Sequence, residues 1–194
     1  EISTNTGSIA IAPKTGTDTS NSEVWISSFG TIAQPNNNDD APVNSVYFDS
    51  KNNLISVLSV SVNNYTDFYA TVLKQDQFGN VIWKKTLPNS YSTVSPDSVA
   101  ESVFIDNNDN IIIVSQPGNG NFGNNIITKM SSNGDVIWQS IDNSSVLPWD
   151  VTTDSNNDVY VATGYGSINK WSGSNGAFLW SSGLSDYTGA YSCV

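Results

Sequence analysis

The sequence predicts an all-β fold assembled from consecutive four-stranded antiparallel units. Three observations predict it: a pattern repeats along the chain, its apolar runs are too short for helices, and the segments between runs carry turn chemistry at fixed places. Self-similarity comes first, because a period of roughly 40 to 60 residues points to closed or stacked arrays. One unit reads PVNSVYFDSKNNLISVLSV and later ATVLKQDQFGNVIWKKTL. The next reads ESVFIDNNDNIIIVSQ and later IITKMSSNGDVIWQSI, and the third WDVTTDSNNDVYVATG and later SINKWSGSNGAFLWSSGL.

Each unit has an apolar run ending in Asp (Asp49, Asp106, Asp154), a polar turn and a second apolar run. After a variable loop come a stretch ending in Lys (Lys74, Lys129, Lys170), a Gly turn and a Trp (Trp83, Trp138, Trp180). The apolar runs are short, rich in Val, Ile, Tyr and Phe, and bounded by Asn, Asp and Gly, which is the signature of strands. In the first turn of each unit the Asp side chain can close an Asx turn. In the second, Asn133-Gly134 and Asn175-Gly176 suit the positive φ angles of a tight hairpin. Both hairpins are thus specified locally. At the N-terminus, SIAIAPK and EVWISSF read as the last two strands of an earlier unit, with Lys14 and Trp25 in the recurring roles but no Gly before the Trp.

A four-stranded unit that is apolar on both faces cannot bury itself alone, whereas units stacked around an axis bury each sheet against two neighbours. The expected architecture is therefore a β-propeller. It divides into a partial blade over 1–41, blades over 42–96, 97–147 and 148–184, and the start of another at 185–194. Such a propeller has four to eight blades, so either the chain closes as a small ring or neighbouring residues are missing; with no Met at position 1 and no signal-peptide pattern it reads as a processed product or an excerpt of something longer. The recurring Trp is the expected wedge between blades, since burying an indole removes about 150–250 Å² from water.

The Gly-x-x-x-Trp phrase after a Lys-ended strand, in FGNVIW, NGDVIW and NGAFLW, resembles the tryptophan-containing repeat of quinoprotein-like propellers. DNNDNIIIV followed by ITKMSSNGDVIW is likewise similar to repeats in bacterial surface and phage virion proteins. The resemblance spans roughly 42–182. It implies a propeller, and a fold of this kind hosts unrelated functions.

Composition narrows those functions. The formal charge is -11, with seven Lys and no Arg, which argues against neutralising phosphate and so against nucleic acid or an anionic membrane as partner. No apolar stretch approaches the length of a membrane helix. The quinoprotein dehydrogenases suggested by the resemblance would need Arg, calcium-binding carboxylates and often adjacent cysteines. This chain has no Arg and a single cysteine, Cys193. Sialidase-type propellers need an arginine cluster for the substrate carboxylate. The absence of His removes Ser-His-Asp and Cys-His catalysis and the usual zinc sites. Carboxylate-pair glycoside hydrolysis is compatible with the composition, yet Glu1, Glu23 and Glu101 lie outside the loops expected to form a cleft. No enzyme activity and no cofactor are expected.

Two weaker signals have ordinary explanations. Asp106-x-Asn108-x-Asn110 and Asp154-x-Asn156-x-Asp158 resemble calcium loops, but lack the Gly and closing Glu of the full pattern, so hairpin closure accounts for them better. The glycosylation triplets at Asn64 and Asn143 are no more frequent than this Asn-, Ser- and Thr-rich composition produces by chance.

The contrast between constant and variable connections carries the functional expectation. The Asp-Asn and Gly turns are nearly uniform, while the other connections, at the opposite end of the strands, vary in length and content. These loops and crossovers carry Tyr65, Phe68, Tyr91, Phe122, Trp149 and Tyr165 among Asn, Gly and Ser, a mixture suited to a binding face, although local packing beneath each loop would also explain them. The expectation is a non-enzymatic binding or structural module, extracellular or on a virion, acting in assembly or attachment. Its partner would be another protein subunit or a cell-surface glycan.

Overall fold

In the computed structural model, residues 42–62, 67–87, 98–117, 125–142 and 146–183 are described, and they form three four-stranded antiparallel sheets. The first contains β1 (Val43–Phe48), β2 (Leu54–Val62), β3 (Asp67–Gln75) and β4 (Val81–Thr86) in that order. The second contains β5 (Ser98–Ile105), β6 (Ile111–Pro117), β7 (Asn125–Met130) and β8 (Val136–Asp142). The third contains β9 (Pro148–Thr153), β10 (Val159–Thr163), β11 (Ser167–Trp171) and β12 (Phe178–Gly183), with one 3-10 turn at Gly164–Gly166 between β10 and β11. The fold is all-β, and the sheets are consecutive blades of a propeller. The expected partial blades fall on residues outside those described.

Register repeats from blade to blade, and the third strand, with Lys at its penultimate position, pairs with the Trp strand so that Lys74 faces Trp83, Lys129 faces Trp138 and Lys170 faces Trp180. A bulge follows each of these pairs, turning the outer strand at the same place in every blade.

Each turn between the first two strands is a three-residue loop closed by an Asp. Asp49 Oδ1 accepts from the amides of Lys51 and Asn53, Asp106 Oδ1 from those of Asn108 and Asn110, and Asp154 Oδ1 from those of Asn156 and Asp158. The last loop residue takes positive φ: 60° at Asn52, 59° at Asp109 and 63° at Asn157. Asn and Asp tolerate that region best among residues with a side chain. The second hairpins use the same device with Gly at φ 82° (Gly79, Gly134) or 72° (Gly176). Asn133 and Asn175 do not share the positive φ expected of a two-residue hairpin. The loops are longer, and only their Gly is left-handed.

Apolar residues meet between sheets. Ile55, Val57, Ala70 and Val72 of the first blade pack on Ala100, Val103, Ile105, Ile111 and Ile113 of the second. The second blade's other face supplies Ile112, Val114, Ile127 and Trp138 against Val151, Val159, Val161 and Trp171 of the third. Alternation along the strands of the second blade therefore serves two interfaces, as the two-sided apolar pattern requires.

Candidate functional site

The uniform-turn end is organised by a charge pair that repeats with the blades. Lys74 Nζ lies 2.8 Å from Asp49 Oδ2, and Lys129 Nζ 2.9 Å from Asp106 Oδ2, with all four side chains buried. The third blade holds a more open version, in which Lys170 bridges Asp154 (3.2 Å) and Asp158 (2.9 Å) and lies over the Tyr160 ring. Burial raises the pKa of Asp49 and Asp106, but the bonds from Asn53 or Asn110, from the Lys and from the turn amides outweigh it, leaving both carboxyls below their ordinary value.

The same lysines reach the next blade. Lys74 donates to the Ser132 carbonyl (3.1 Å) and Lys129 to the Gly173 carbonyl (2.8 Å). These carbonyls belong to the Gly turns, and each Gly turn also receives the preceding blade's Trp. A methyl group added at Gly134 would lie 3.3 Å from Cε2 of Trp83, and one at Gly176 only 2.6 Å from Cε3 of Trp138. The Gly is therefore required twice, for its positive φ and for the ring above it.

The three tryptophans fare differently. Trp138 is 8% exposed and its indole N–H donates to the Gly173 carbonyl at 3.2 Å. Trp83 packs half-buried at the edge of the first core cluster. Trp180 is 42% exposed, with its ring edge against Tyr160. It departs from the wedge expectation because no Gly turn of a following blade stands over it among the described residues. Trp25 lies outside the described residues.

At the variable-loop end, Trp149 follows Pro148 at the start of β9 and is 42% exposed. Beside it, the Gly164 amide donates to the Leu147 carbonyl at 2.9 Å, and a methyl at Gly164 would come within 3.4 Å of the Trp149 indole nitrogen. Trp149 and the Gly164–Gly166 turn, which includes Tyr165, thus form one corner. Phe68 is half-buried in β3, opposite Ser61, in another blade. Tyr65, Tyr91 and Phe122 lie outside the described residues.

Polar stitching joins the inner strands near this end. Asn44 donates to the Ala100 carbonyl, and Ser102 donates to Asp150 at 2.7 Å. Glu101, on β5, accepts from Gln116; burial pushes its carboxyl above the ordinary value and that bond only partly offsets it. Among the described residues no group of three His, Cys, Asp or Glu side chains is placed to hold a metal.

The Asp-Lys pairing was missed when the sequence was read, although its signal was present: both residues recur in register, one at each end of a hairpin pair.

No protein-family model and no curated protein matches the chain. Solved structures do. A protein of unknown function from Bacteroides caccae is similar at 12% identity with a TM-score of 0.52, over 75% of this chain and 47% of that one. The WD40 β-propeller domain of Doa1 is similar at 16% identity and TM-score 0.48, over 77% and 56%. The quinohemoprotein alcohol dehydrogenase from Comamonas testosteroni is similar at 12% and 0.46, over 75% and 35%. The chain thus spans less than two thirds of the length of each. At these identities the likeness concerns the fold alone.

Proposed function

We propose that this chain is a non-enzymatic binding or structural module without a resident cofactor, acting in assembly or attachment through the variable-loop end of its blades. Its partner is another protein subunit or a cell-surface glycan. The observation that carries the reading is the corner at Trp149: a large aromatic stays 42% exposed beside a Gly-tight turn at the variable-loop end. The repeat's similarity to surface and virion proteins and the Arg-free composition support an extracellular or virion location.

The test is a glycan array together with cross-linking in the assembled particle, each repeated with Tyr65→Ala, Phe122→Ala and Trp149→Ala. Loss of glycan binding or of subunit cross-links at unchanged melting temperature supports the reading. Bound quinone in the purified protein, or hydrolysis of the arrayed glycans, would replace it with an enzymatic one.

A further inference from the structure

The two interblade seats at the uniform-turn end differ by one residue. In the third blade the Gly turn runs from Ser172 to Ala177, and its Gly173 carbonyl takes both the Lys129 ammonium and the Trp138 indole N–H. In the second blade the corresponding turn runs only from Ser131 to Asp135, with Ser132 in the place of Gly173. Ser132 receives Lys74 but not Trp83, and the indole N–H of Trp83 has no bond to a described residue. A cavity of about 220 Å³ lies beside this shorter turn, between the first two blades.

We propose that this cavity is a binding site for a single neutral pyranose ring, with Trp83 as its floor. Size sets the first limit, because sites for drug-sized ligands occupy roughly 300–1,000 Å³, so the space suits one ring rather than an oligosaccharide. Charge sets the second. Behind the cavity Asp49 and Lys74 neutralise each other at 2.8 Å, and Asp49 is already saturated by Lys51, Asn53 and Lys74. At the rim stand Lys51 and Asp109, the latter accepting from both the amide and the hydroxyl of Ser50, so that the two Asp and two Lys of the lining sum to zero formal charge. An ion would lose its hydration without meeting a net opposite charge in the lining.

Hydrogen-bonding capacity sets the third limit. The remaining lining groups alternate in kind: Lys51 donates, the Asp109 carboxylate accepts, Ser132 and Asn133 do both, and the Trp83 indole N–H donates. A polyol whose hydroxyls donate and accept satisfies such a wall, while its C–H face can lie on the Trp83 ring as apolar groups do on an aromatic surface. The site lies at the opposite end of the sheets from the proposed attachment surface, so either can fail without the other.

The test is saturation-transfer NMR of the full chain with the methyl pyranosides of glucose, galactose, mannose and N-acetylglucosamine. At least one should show saturable transfer with a dissociation constant on the order of 1 mM, as expected for so small a ligand. Replacing residues 131–135 by the six-residue turn of the third blade should close the cavity and weaken that binding by at least about tenfold, with the melting temperature held or raised. Trp83→Phe, which retains a ring but removes the N–H, should weaken it less. Absence of transfer from all four glycosides, or transfer undiminished by the grafted turn, would overturn the proposal.

Discussion

The first and second interblade junctions are built from the same recurring residues, yet one is sealed and the other is open. In both, a Lys crosses from its own Asp to the next blade's turn carbonyl, and a Trp lies over the next blade's Gly. Trp138 nevertheless reaches 8% exposure with its N–H bonded, whereas Trp83 stays half-buried and unbonded. The difference lies in the receiving turn, which is one residue longer in the third blade and carries Gly173 where the second has Ser132. A methyl at Gly173 would lie 1.7 Å from the Asn157 carbonyl oxygen, so no side chain could enter there. How deeply a Trp is buried is therefore decided by the following blade, and Trp180, with no such turn over it among the described residues, is the most exposed of the three.

That contrast is most sharply broken at the buried charges and rings. Lys129→Met leaves Asp106 buried without its cation and should cost about 3–5 kcal/mol, measured by urea unfolding. Lys170→Met should cost far less, because Asp154 and Asp158 remain partly hydrated. Trp138→Ala should cost about 3–5 kcal/mol; Trp83→Ala should cost less and Trp180→Ala least, following their exposure. Equal losses at Trp138 and Trp180 would show that each Trp is held by its own blade.

Smaller effects sharpen the same comparison. Gly176→Ala meets both a φ of 72° and the Trp138 ring at 2.6 Å, so a loss on the order of 1–3 kcal/mol is expected. Gly79→Ala, at a turn with no described Trp above it, should show the backbone cost alone.

Titration separates the two ends of the blades. Asp49 and Asp106 have carboxyls lowered by their partners, so the stability they contribute is complete above the unfolded value of about 3.9 and is lost as pH falls through the lower folded values. Glu101 behaves in the opposite sense. Its folded pKa is raised, so its contribution is complete below the unfolded value of about 4.3 and lost as pH rises through the folded one. Glu101→Gln should thus raise the melting temperature slightly at neutral pH, with the gain vanishing in acid. A gain that persists unchanged at low pH would remove the titration of Glu101 as its cause.

Much of the fold was legible in the sequence because it depends on local chemistry. Asp49, Asp106 and Asp154 announce their hairpins by closing them, and period-two apolar runs announce strands buried on both faces. The site was less legible because it depends on relations between blades. Nothing local to NGDVIW or FGNVIW distinguishes a sealed Trp from an open one, since the deciding residues stand about 35–50 positions later in another unit. The Asp-Lys pairs were legible in principle, as two recurrences in register, but a turn role already explained each Asp. Of the six aromatic candidates for the binding face, Tyr65, Tyr91 and Phe122 lie outside the described residues, and Phe68 and Trp149 occupy different blades.

The central claim is that each Trp is seated by the Gly turn of the next blade, and a double-mutant cycle at the sealed junction tests it most directly. Trp138→Phe and deletion of Ser174, which shortens the receiving turn to the length found in the second blade, would be measured singly and together by urea unfolding. The expected result is a coupling of about 1 kcal/mol or more, with Trp138 becoming accessible to acrylamide quenching in the deletion variant. Losses that add to within about 0.3–0.5 kcal/mol, with Trp138 fluorescence unchanged by the deletion, would contradict the claim.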